Sequence, residues 1–381
     1  MSKNAPFKNI AVIGAGTMGS GIAGQIANSE QEVLLLDIPG KTPNSITEDA
    51  VKKLIRSDPP ALMHKNKANL IKVGNIRDDF NKLANCDLII EAVVERLDIK
   101  KDLYNRINNI VNSKCVITSN TSTIPIKLLV EDMPQSFRER FAITHYFNPV
   151  RFMRLLELVR GEHTKSEIIK KLADYNDRIL GKGVVACNDT PGFLGNRVGV
   201  YALQVGMDEA YKLNLTVEEA DSLMGRPMGI PKTGIFGLYD LIGIDLMSDV
   251  VDTLGTILPD SDDFHKVGAS NIPTAELIKK MIDEGFTGNK GKGGFYRLDE
   301  KENEFYLDIY NNKTIQKSTQ LNEKAKVSAE LLEKGKETLF HLIKNNSNDI
   351  QEKKYTSFSR NVLSRVLHYA SSLIPEITTS P

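Results

Sequence analysis

The sequence predicts an α/β protein in which a doubly wound, mainly parallel sheet is followed by an all-α C-terminal domain. Strand-like apolar runs alternate with helix-like segments through the first 190 residues, whereas the next hundred residues lack strand-like runs. The runs that we predict as strands are 10–13, 33–36, 88–92, 116–119, 141–145 and 155–159. This alternation is typical of parallel sheets whose strands are joined by helices.

The first predicted strand runs into a glycine-rich turn, Gly14-x-Gly16-x-x-Gly19. Gly16 would let a pyrophosphate approach the backbone, and Gly19 would let the next helix pack closely, with its positive N-terminus at the phosphates. Asp37 ends the second run and would accept the adenosine ribose hydroxyls, which favours NAD over NADP. The alternative is a purely structural turn. The residues that we predict to bind NAD in this Rossmann-type domain are Gly14, Gly16, Thr17, Met18, Gly19 and Asp37.

Composition excludes several classes of function. The 381 residues contain 49 basic and 49 acidic side chains, so no net field recruits nucleic acid, and any anionic ligand must meet a local basic patch. No apolar run approaches the ~20 residues that span a bilayer. The three cysteines form no CxxC motif, which predicts a reducing, cytoplasmic setting and no disulfide framework. We also predict no metal site.

Three domains are predicted: 1–188 as the NAD-binding domain, 189–298 as a helical substrate and dimerisation domain, and 299–381 as a polar helical extension. The division at Asn188-Asp-Thr-Pro-Gly-Phe193 rests on a helix-start signal. The predicted helices of the last two domains are 194–213, 216–224, around 234–242, 274–284, 325–344 and 358–372. The Lys-rich segment 43–80 predicts one or two surface helices, either a solvated face or a docking patch for a phosphorylated ligand.

His145 and Glu157 are the predicted chemical centre. His145 ends the fifth strand-like run, and Glu157 lies inside the sixth, where a buried carboxylate requires a cation or a proton donor. Antiparallel pairing of these strands would place the two side chains together, so that the carboxylate orients the imidazole as a general base. Alternatively, His145 is an ordinary structural histidine at a strand end.

Six motifs in unbroken order over residues 8–297 resemble the 3-hydroxyacyl-CoA dehydrogenases. They are Gly14-x-Gly16-x-x-Gly19, Glu91-Ala-Val-Val-Glu95, Ser119-Asn-Thr-Ser122, His145-Tyr-Phe-Asn-Pro149, Asp189-Thr-Pro-Gly-Phe193 with Asn196, and Gly291-Lys-Gly-Gly-Phe-Tyr296. The resemblance implies NAD-dependent oxidation of an (S)-3-hydroxyacyl-CoA to a 3-oxoacyl-CoA in fatty-acid β-oxidation.

The resemblance also implies roles for single residues. His145 would be the general base and Glu157 its partner, while Ser122 and Asn196 would hydrogen-bond the reacting oxygen. The residues that it implies along the nicotinamide are Glu95, Lys100 and Asn120, and those that it suggests for the CoA phosphates are Lys52 and Lys53.

Each of these residues also has an ordinary structural explanation. Asn120 and Ser122 could cap a helix beginning at Ile124. Glu91 and Glu95 could be an acidic pair at a helix N-terminus. Asn196 could be an ordinary polar residue, and the glycines from Gly291 to Gly294 could only form a turn.

Residues 225–237 and 367–377 resemble long family members that continue into a second helical half and an enoyl-CoA hydratase-like domain. We therefore expect either a homodimer or a chain that lacks this half and exposes an apolar face. Two alternatives to the active enzyme remain: a catalytically silent NAD-binding fragment or scaffold, and a dehydrogenase of a free hydroxy or sugar acid.

Overall fold

The structure, a computed structural model, describes residues 5–225, 233–267, 274–316 and 350–378. They belong to two compact units, the first comprising Met1–Leu194 with Ile374–Pro381, the second Gly195–Leu373. The first unit therefore extends a few residues beyond the predicted boundary at 188. Most of the predicted extension 299–381 belongs to the second unit.

The first unit is built on an eight-stranded sheet. Its strands are β1 (Ile10–Ile13), β2 (Val33–Asp37), β3 (Ile71–Asn75), β4 (Leu88–Glu91), β5 (Val116–Ser119), β6 (Phe141–Tyr146), β7 (Leu155–Arg160) and β8 (Gly183–Asn188). Its helices are α1 (Thr17–Asn28), α2 (Ser45–Arg56), α3 (Leu97–Asn108), α4 (Ile126–Leu129), α5 (Gln135–Arg138) and α6 (Ser166–Asp174). The strand order is β3-β2-β1-β4-β5-β6-β7-β8, and only the β6–β7 pair is antiparallel. The predicted doubly wound sheet is confirmed.

The central strands are buried along their whole length, because helices cover the sheet. All six predicted strands are present, but β3 and β8 were missed. The Lys-rich segment forms the helix α2 and a 3₁₀ helix over Lys65–Leu70, followed by β3, in which Ile71 is buried and Lys72 is exposed. Only two of the five residues of β3 are apolar, so the strand signal is weak. Strand β8 lies at the sheet edge; its apolar run, 184–187, is a strand signal that the prediction passed over, although most of its residues are only partly buried or exposed.

The second unit is mostly helical. Its helices are α7 (Gly195–Lys212), α8 (Val217–Leu223), α9 (Phe236–Ile242), α10 (Ile244–Ile257), α11 (Ala275–Asp283) and α12 (Ile350–Ser372). The prediction of an all-α domain missed a small antiparallel sheet of β9 (Tyr296–Leu298), β10 (Glu304–Asp308) and β11 (Lys313–Gln316). These strands are only three to five residues long and half of their residues are polar, so the apolar runs are too short to indicate strands. Helix α10 was also not predicted, and the predicted helix 325–344 lies outside the described residues.

Helix α12 packs on α7. The rings of Tyr201 and Tyr369 stack with centroids 4.0 Å apart, and Arg365 donates to Asp208 and Glu209 at 2.6 Å. This part of the predicted polar extension therefore contributes to the core of the second unit. Within the described parts of the chain, no helix combines the length and the apolarity needed to cross a membrane.

Candidate functional site

His145 and Glu157 lie directly opposite each other on the antiparallel strands β6 and β7, as the sequence predicts. The imidazole Nδ1 is 2.6 Å from the carboxylate Oε2, and both residues are buried, Glu157 completely. Because Nδ1–H faces the carboxylate, the lone pair of Nε2 is left to accept a proton. The pair therefore has the geometry of an oriented general base.

Two aromatic rings and one backbone amide complete the surroundings of this pair. Phe147 and Phe193 lie against the imidazole, with ring centroids at 4.5 Å and 6.1 Å from it. The second oxygen of Glu157 accepts the N–H of Leu194 at 2.8 Å. Both phenylalanines lie inside the sequence motifs, but the motifs do not indicate their role. The sequence around an aromatic residue does not show which side chain it will contact.

The loop after β5 is organised by Glu95. Its Oε1 accepts the hydroxyl of Thr121, the N–H of Ser122 at 3.2 Å, and the N–H and hydroxyl of Thr123. Burial opposes ionisation, but the hydrogen bond from Thr121 and the charge of Lys100 lower the pKa of Glu95 below its ordinary value. Glu95 thus holds the loop that carries Ser122 in a fixed conformation.

Asn120 connects this loop to the strand of His145, because its Oδ1 accepts the N–H of Tyr146 at 3.0 Å. Asn120 therefore does not cap a helix. The helix begins at Ile126 and is capped instead by Asp189, whose two oxygens accept the N–H groups of Ile126 and Lys127. Asp189 lies in one of the sequence motifs, but the motif does not indicate this capping role.

Lys100 lies in a buried ion-pair network. Its Nζ is 2.7 Å from Glu91 and 3.2 Å from Glu95, and its side chain is 1% exposed. Glu91 also accepts the hydroxyls of Tyr104 and Ser119 at 2.6 Å and 2.7 Å. Glu91 ends β4 and is completely buried, so it is not part of an exposed acidic pair at a helix N-terminus.

The glycine turn has the shape that a dinucleotide requires. A Cβ on Gly14 would lie 2.3 Å from the Ala92 carbonyl oxygen, and one on Gly19 would lie 1.8 Å from the Gly14 oxygen. A Cβ on Gly16 would meet nothing within 4 Å, which leaves open space beside the start of α1. No side chain caps that helix N-terminus and no acidic residue lies in its first turn, so its N–H groups are available to an anion.

The remaining predicted residues lie at separate places. Asp37 ends β2 and accepts the N–H groups of Ala15 at 2.5 Å and Ile38 at 2.6 Å, which anchors its carboxylate beside the glycine turn. Lys52 and Lys53 are exposed on α2, and Lys52 pairs with Asp49 at 2.9 Å. Thr17 and Met18 open α1, and Asn196 lies in the first turn of α7 in the second unit.

Comparison with known families identifies the two parts of the chain. Residues 9–190 match the NAD-binding domain of 3-hydroxyacyl-CoA dehydrogenase, and residues 192–298 match the C-terminal domain of the same enzyme. The chain belongs to the 3-hydroxyacyl-CoA dehydrogenase family, a family of NAD-dependent oxidoreductases.

Individual relatives support this assignment. A 3-hydroxyacyl-CoA dehydrogenase of Deinococcus radiodurans is 39% identical over 299 residues, which cover 78% of this chain and 84% of that protein. A fatty acid oxidation complex trifunctional enzyme of Rickettsia prowazekii is 38% identical over 377 residues, covering 98% of this chain and 50% of that protein. This chain therefore spans about half the length of that relative. Among solved structures, the (S)-3-hydroxybutyryl-CoA dehydrogenase of Ralstonia eutropha is similar, with a TM-score of 0.59, 27% identity, and coverage of 74% and 96% of the two chains.

Proposed function

We propose that this chain interconverts (S)-3-hydroxyacyl-CoA and 3-oxoacyl-CoA with NAD, using His145 as general base and Glu157 as its orienting partner. The observation that carries the proposal is the 2.6 Å contact between Nδ1 and the buried carboxylate. His145 lies near the carboxyl end of β6, in the sheet that also carries the glycine turn after β1, and Glu157 faces it from the amino-terminal half of the antiparallel strand β7. Ligands of open α/β sheets bind at the carboxyl ends of the parallel strands.

The residues divide the chemistry as follows. Nε2 of His145 takes the proton of the C3 hydroxyl, and the carboxylate of Glu157 stabilises the resulting imidazolium. In the reverse direction, the imidazolium returns that proton to the oxygen. Bound NAD⁺ would supply the acceptor for the hydride of C3. Ser122 and Asn196 hydrogen-bond the reacting oxygen in this proposal. The residues that we assign to the nicotinamide side are Glu95 and Asn120, with Lys100 acting through its ion pair with Glu95, because its own side chain is 1% exposed.

The glycine turn allows the NAD site to be tested separately from turnover. Gly16→Ala adds a methyl group in open space, so we expect the fold to be kept and the Kd for NADH to rise about tenfold, since a ~1.4 kcal/mol loss is tenfold in affinity. Gly19→Ala places its methyl against the Gly14 oxygen and should lower the melting temperature instead. Unchanged NADH affinity in Gly16→Ala would contradict the proposed position of the pyrophosphate.

The reaction itself is tested by NADH absorbance with acetoacetyl-CoA, a longer 3-oxoacyl-CoA and free acetoacetate. We expect turnover of the thioesters and none of the free acid. Turnover of free acetoacetate alone would favour the hydroxy-acid dehydrogenase. NADH binding without turnover of any substrate would favour the silent scaffold.

The lysines of α2 give a sharper test of the substrate class. If Lys52 and Lys53 meet the CoA phosphates, their joint replacement by Gln should raise the KM for acetoacetyl-CoA and leave the Kd for NADH unchanged. Lys41→Gln is a control for loss of an exposed charge in the same region. Equal KM values in the double variant and the control would remove the two lysines from the substrate site.

We further propose a cytoplasmic location and a homodimer. The location is supported by three buried free cysteines, which suit a reducing compartment. The dimer follows only from the family resemblance, and light scattering of the purified full chain tests it.

A further inference from the structure

Lys182 is a buried lysine that the proposed reaction does not use. Lys182 belongs to the first unit and is only 2% exposed, so its ammonium lies in the interior of that unit. The ammonium donates to the carbonyl oxygen of Val150 and, at 3.0 Å, to that of Met153. Burial lowers the pKa of Lys182 to about 8, and no charged group contributes to that shift. A buried cation held only by neutral carbonyls is costly, so its position calls for an explanation.

The two carbonyls belong to a tight turn just after the strand of His145. The N–H groups of Phe152 and Met153 both donate to the Pro149 oxygen, which closes the turn. Val150, inside the turn, is buried and packs on α1, since a Cβ on Gly21 would lie 2.9 Å from its Cγ2. The turn therefore contacts the helix whose N-terminus lies at the glycine turn.

The backbone around Lys182 is joined to the same two elements. Its N–H donates to the carbonyl oxygen of Asn176, whose side chain accepts the hydroxyl of Tyr146, the neighbour of His145, at 2.5 Å. Gln25 of α1 donates to the Leu180 oxygen at 2.8 Å. The segment before β8 thus contacts both the strand of His145 and the helix α1.

We propose that Lys182 is a positioning residue that fixes the distance between the cofactor helix α1 and His145, by holding the turn formed by residues 149–153. The inference rests on the proposed function, because it takes His145 as the base and α1 as the cofactor helix. With the ammonium in place, the carbonyls of Val150 and Met153 are satisfied and the turn keeps Val150 against Gly21. Without it, the buried carbonyl of Val150 and the partly buried carbonyl of Met153 lose their donor, and the turn relaxes away from α1.

Arg140 provides a matched control. It is also a buried cation held by backbone carbonyls, donating to Cys115 at 2.6 Å and Ser136 at 3.1 Å, and burial lowers its pKa as well. It precedes β6, at the opposite end of the strand from His145. Arg140→Met therefore removes the same kind of interaction from the same region of the sheet without touching the turn.

The experiment compares Lys182→Met, Lys182→Gln and Arg140→Met in the full chain. NADH affinity is measured by fluorescence titration, and kcat and KM with acetoacetyl-CoA and NADH, at temperatures where each variant is folded. We expect Lys182→Met to raise the Kd for NADH several-fold and to lower kcat about tenfold or more, since small displacements of reacting groups are costly. Lys182→Gln, which keeps a donor, should lie between Lys182→Met and the parent.

Arg140→Met should lower the melting temperature and leave both kinetic readouts unchanged. The proposal is overturned if NADH affinity in the two Lys182 variants equals that of Arg140→Met, because Lys182 would then only stabilise the fold. Should Lys182→Met fail to fold, Lys182→Gln decides the comparison. Absence of turnover in the parent would refute the proposed function, whereas the NADH titrations would still decide the role of Lys182.

Discussion

Glu157 of the first unit and Asp221 and Asp240 of the second are all buried carboxylates, but the groups that they face are different. In the first unit, Glu157 faces the imidazole of His145, which can itself gain a proton. In the second unit, Asp221 and Asp240 face mainly backbone N–H groups, which cannot gain a proton. A buried carboxylate therefore indicates acid–base chemistry only where its partner is titratable, and otherwise it holds chain segments together.

Asp221 shows the structural use. Its two oxygens accept the N–H groups of Ile235, Phe236 and Gly237, at 2.6 to 2.9 Å, at the start of α9. Burial raises the pKa of Asp221 to about 7, although these hydrogen bonds oppose the shift. Together with the hydroxyl of Tyr296, which donates at 2.9 Å, these contacts use Asp221 to hold the start of α9.

Asp240 explains the glycines of the last sequence motif. It accepts the N–H groups of Phe295 and Tyr296 at 2.9 Å and 2.7 Å, and a Cβ on Gly294 would lie 1.8 Å from its Oδ1. Gly293 has a φ of +106°, which side chains other than glycine rarely adopt. The motif from Gly291 to Tyr296 is therefore a turn built around the buried carboxylate of Asp240, which agrees with the prediction that its glycines could only form a turn.

The largest expected effect is that of His145→Ala. Removing the proposed base should lower kcat by roughly 10²–10⁴-fold and leave the Kd for NADH unchanged. His163→Ala, at an exposed position of the same unit, is the control and should match the parent. Equal rates in His145→Ala and the parent would reduce the His145–Glu157 pair to a structural contact like that of Asp221.

Glu157→Gln should have the next largest effect. The amide keeps the volume and an acceptor for the N–H of Leu194, but it cannot stabilise an imidazolium. We expect kcat to fall about 10²-fold and the Kd for NADH to stay unchanged. The measurement is the dependence of kcat on pH. Glu162→Gln, an exposed carboxylate nearby in sequence, should leave the profile unchanged. A parental profile in Glu157→Gln would mean that the carboxylate only fills the core.

The sequence predicted the contact between His145 and Glu157, which lie on regular strands, but not the contacts that depend on loops. The pairing of His145 with Glu157 was predicted because a carboxylate inside an apolar strand needs a cation or proton donor, and antiparallel pairing of the two strands places the histidine opposite it. Glu95 as the organiser of the Asn120 loop could not be predicted, since its hydrogen bonds depend on loop geometry without a period. The same reason hid Asp189, which caps α4 from a distant segment.

Asp221→Asn should change stability and leave kcat unchanged. Above pH 7, where Asp221 is ionised, the amide presents a donor where the carboxylate presents only acceptors, so we expect a loss of about 1–3 kcal/mol in the free energy of unfolding, measured by denaturant titration. Because the pKa of Asp221 is raised on folding, its stabilising contribution is complete below pH 4 and is lost as the pH rises towards 7. The variant should lack this pH dependence. A lower kcat in fully folded Asp221→Asn would mean that the second unit's carboxylates also serve the reaction.

The smallest expected effect separates Asp240 from Asp221. Burial raises the pKa of Asp240 to about 6, so its contribution to stability is lost between about pH 4 and 6, whereas that of Asp221 continues to fall up to about pH 7. Between pH 6 and 7, Asp240→Asn should therefore keep the slope of unfolding free energy against pH that the parent shows, and Asp221→Asn should flatten it. Denaturant titrations at pH 5, 6 and 7 measure both slopes. Equal slopes in the two variants would mean that the carboxylates titrate together, as one buried cluster around Tyr296, whose hydroxyl donates to Asp221 and whose N–H donates to Asp240.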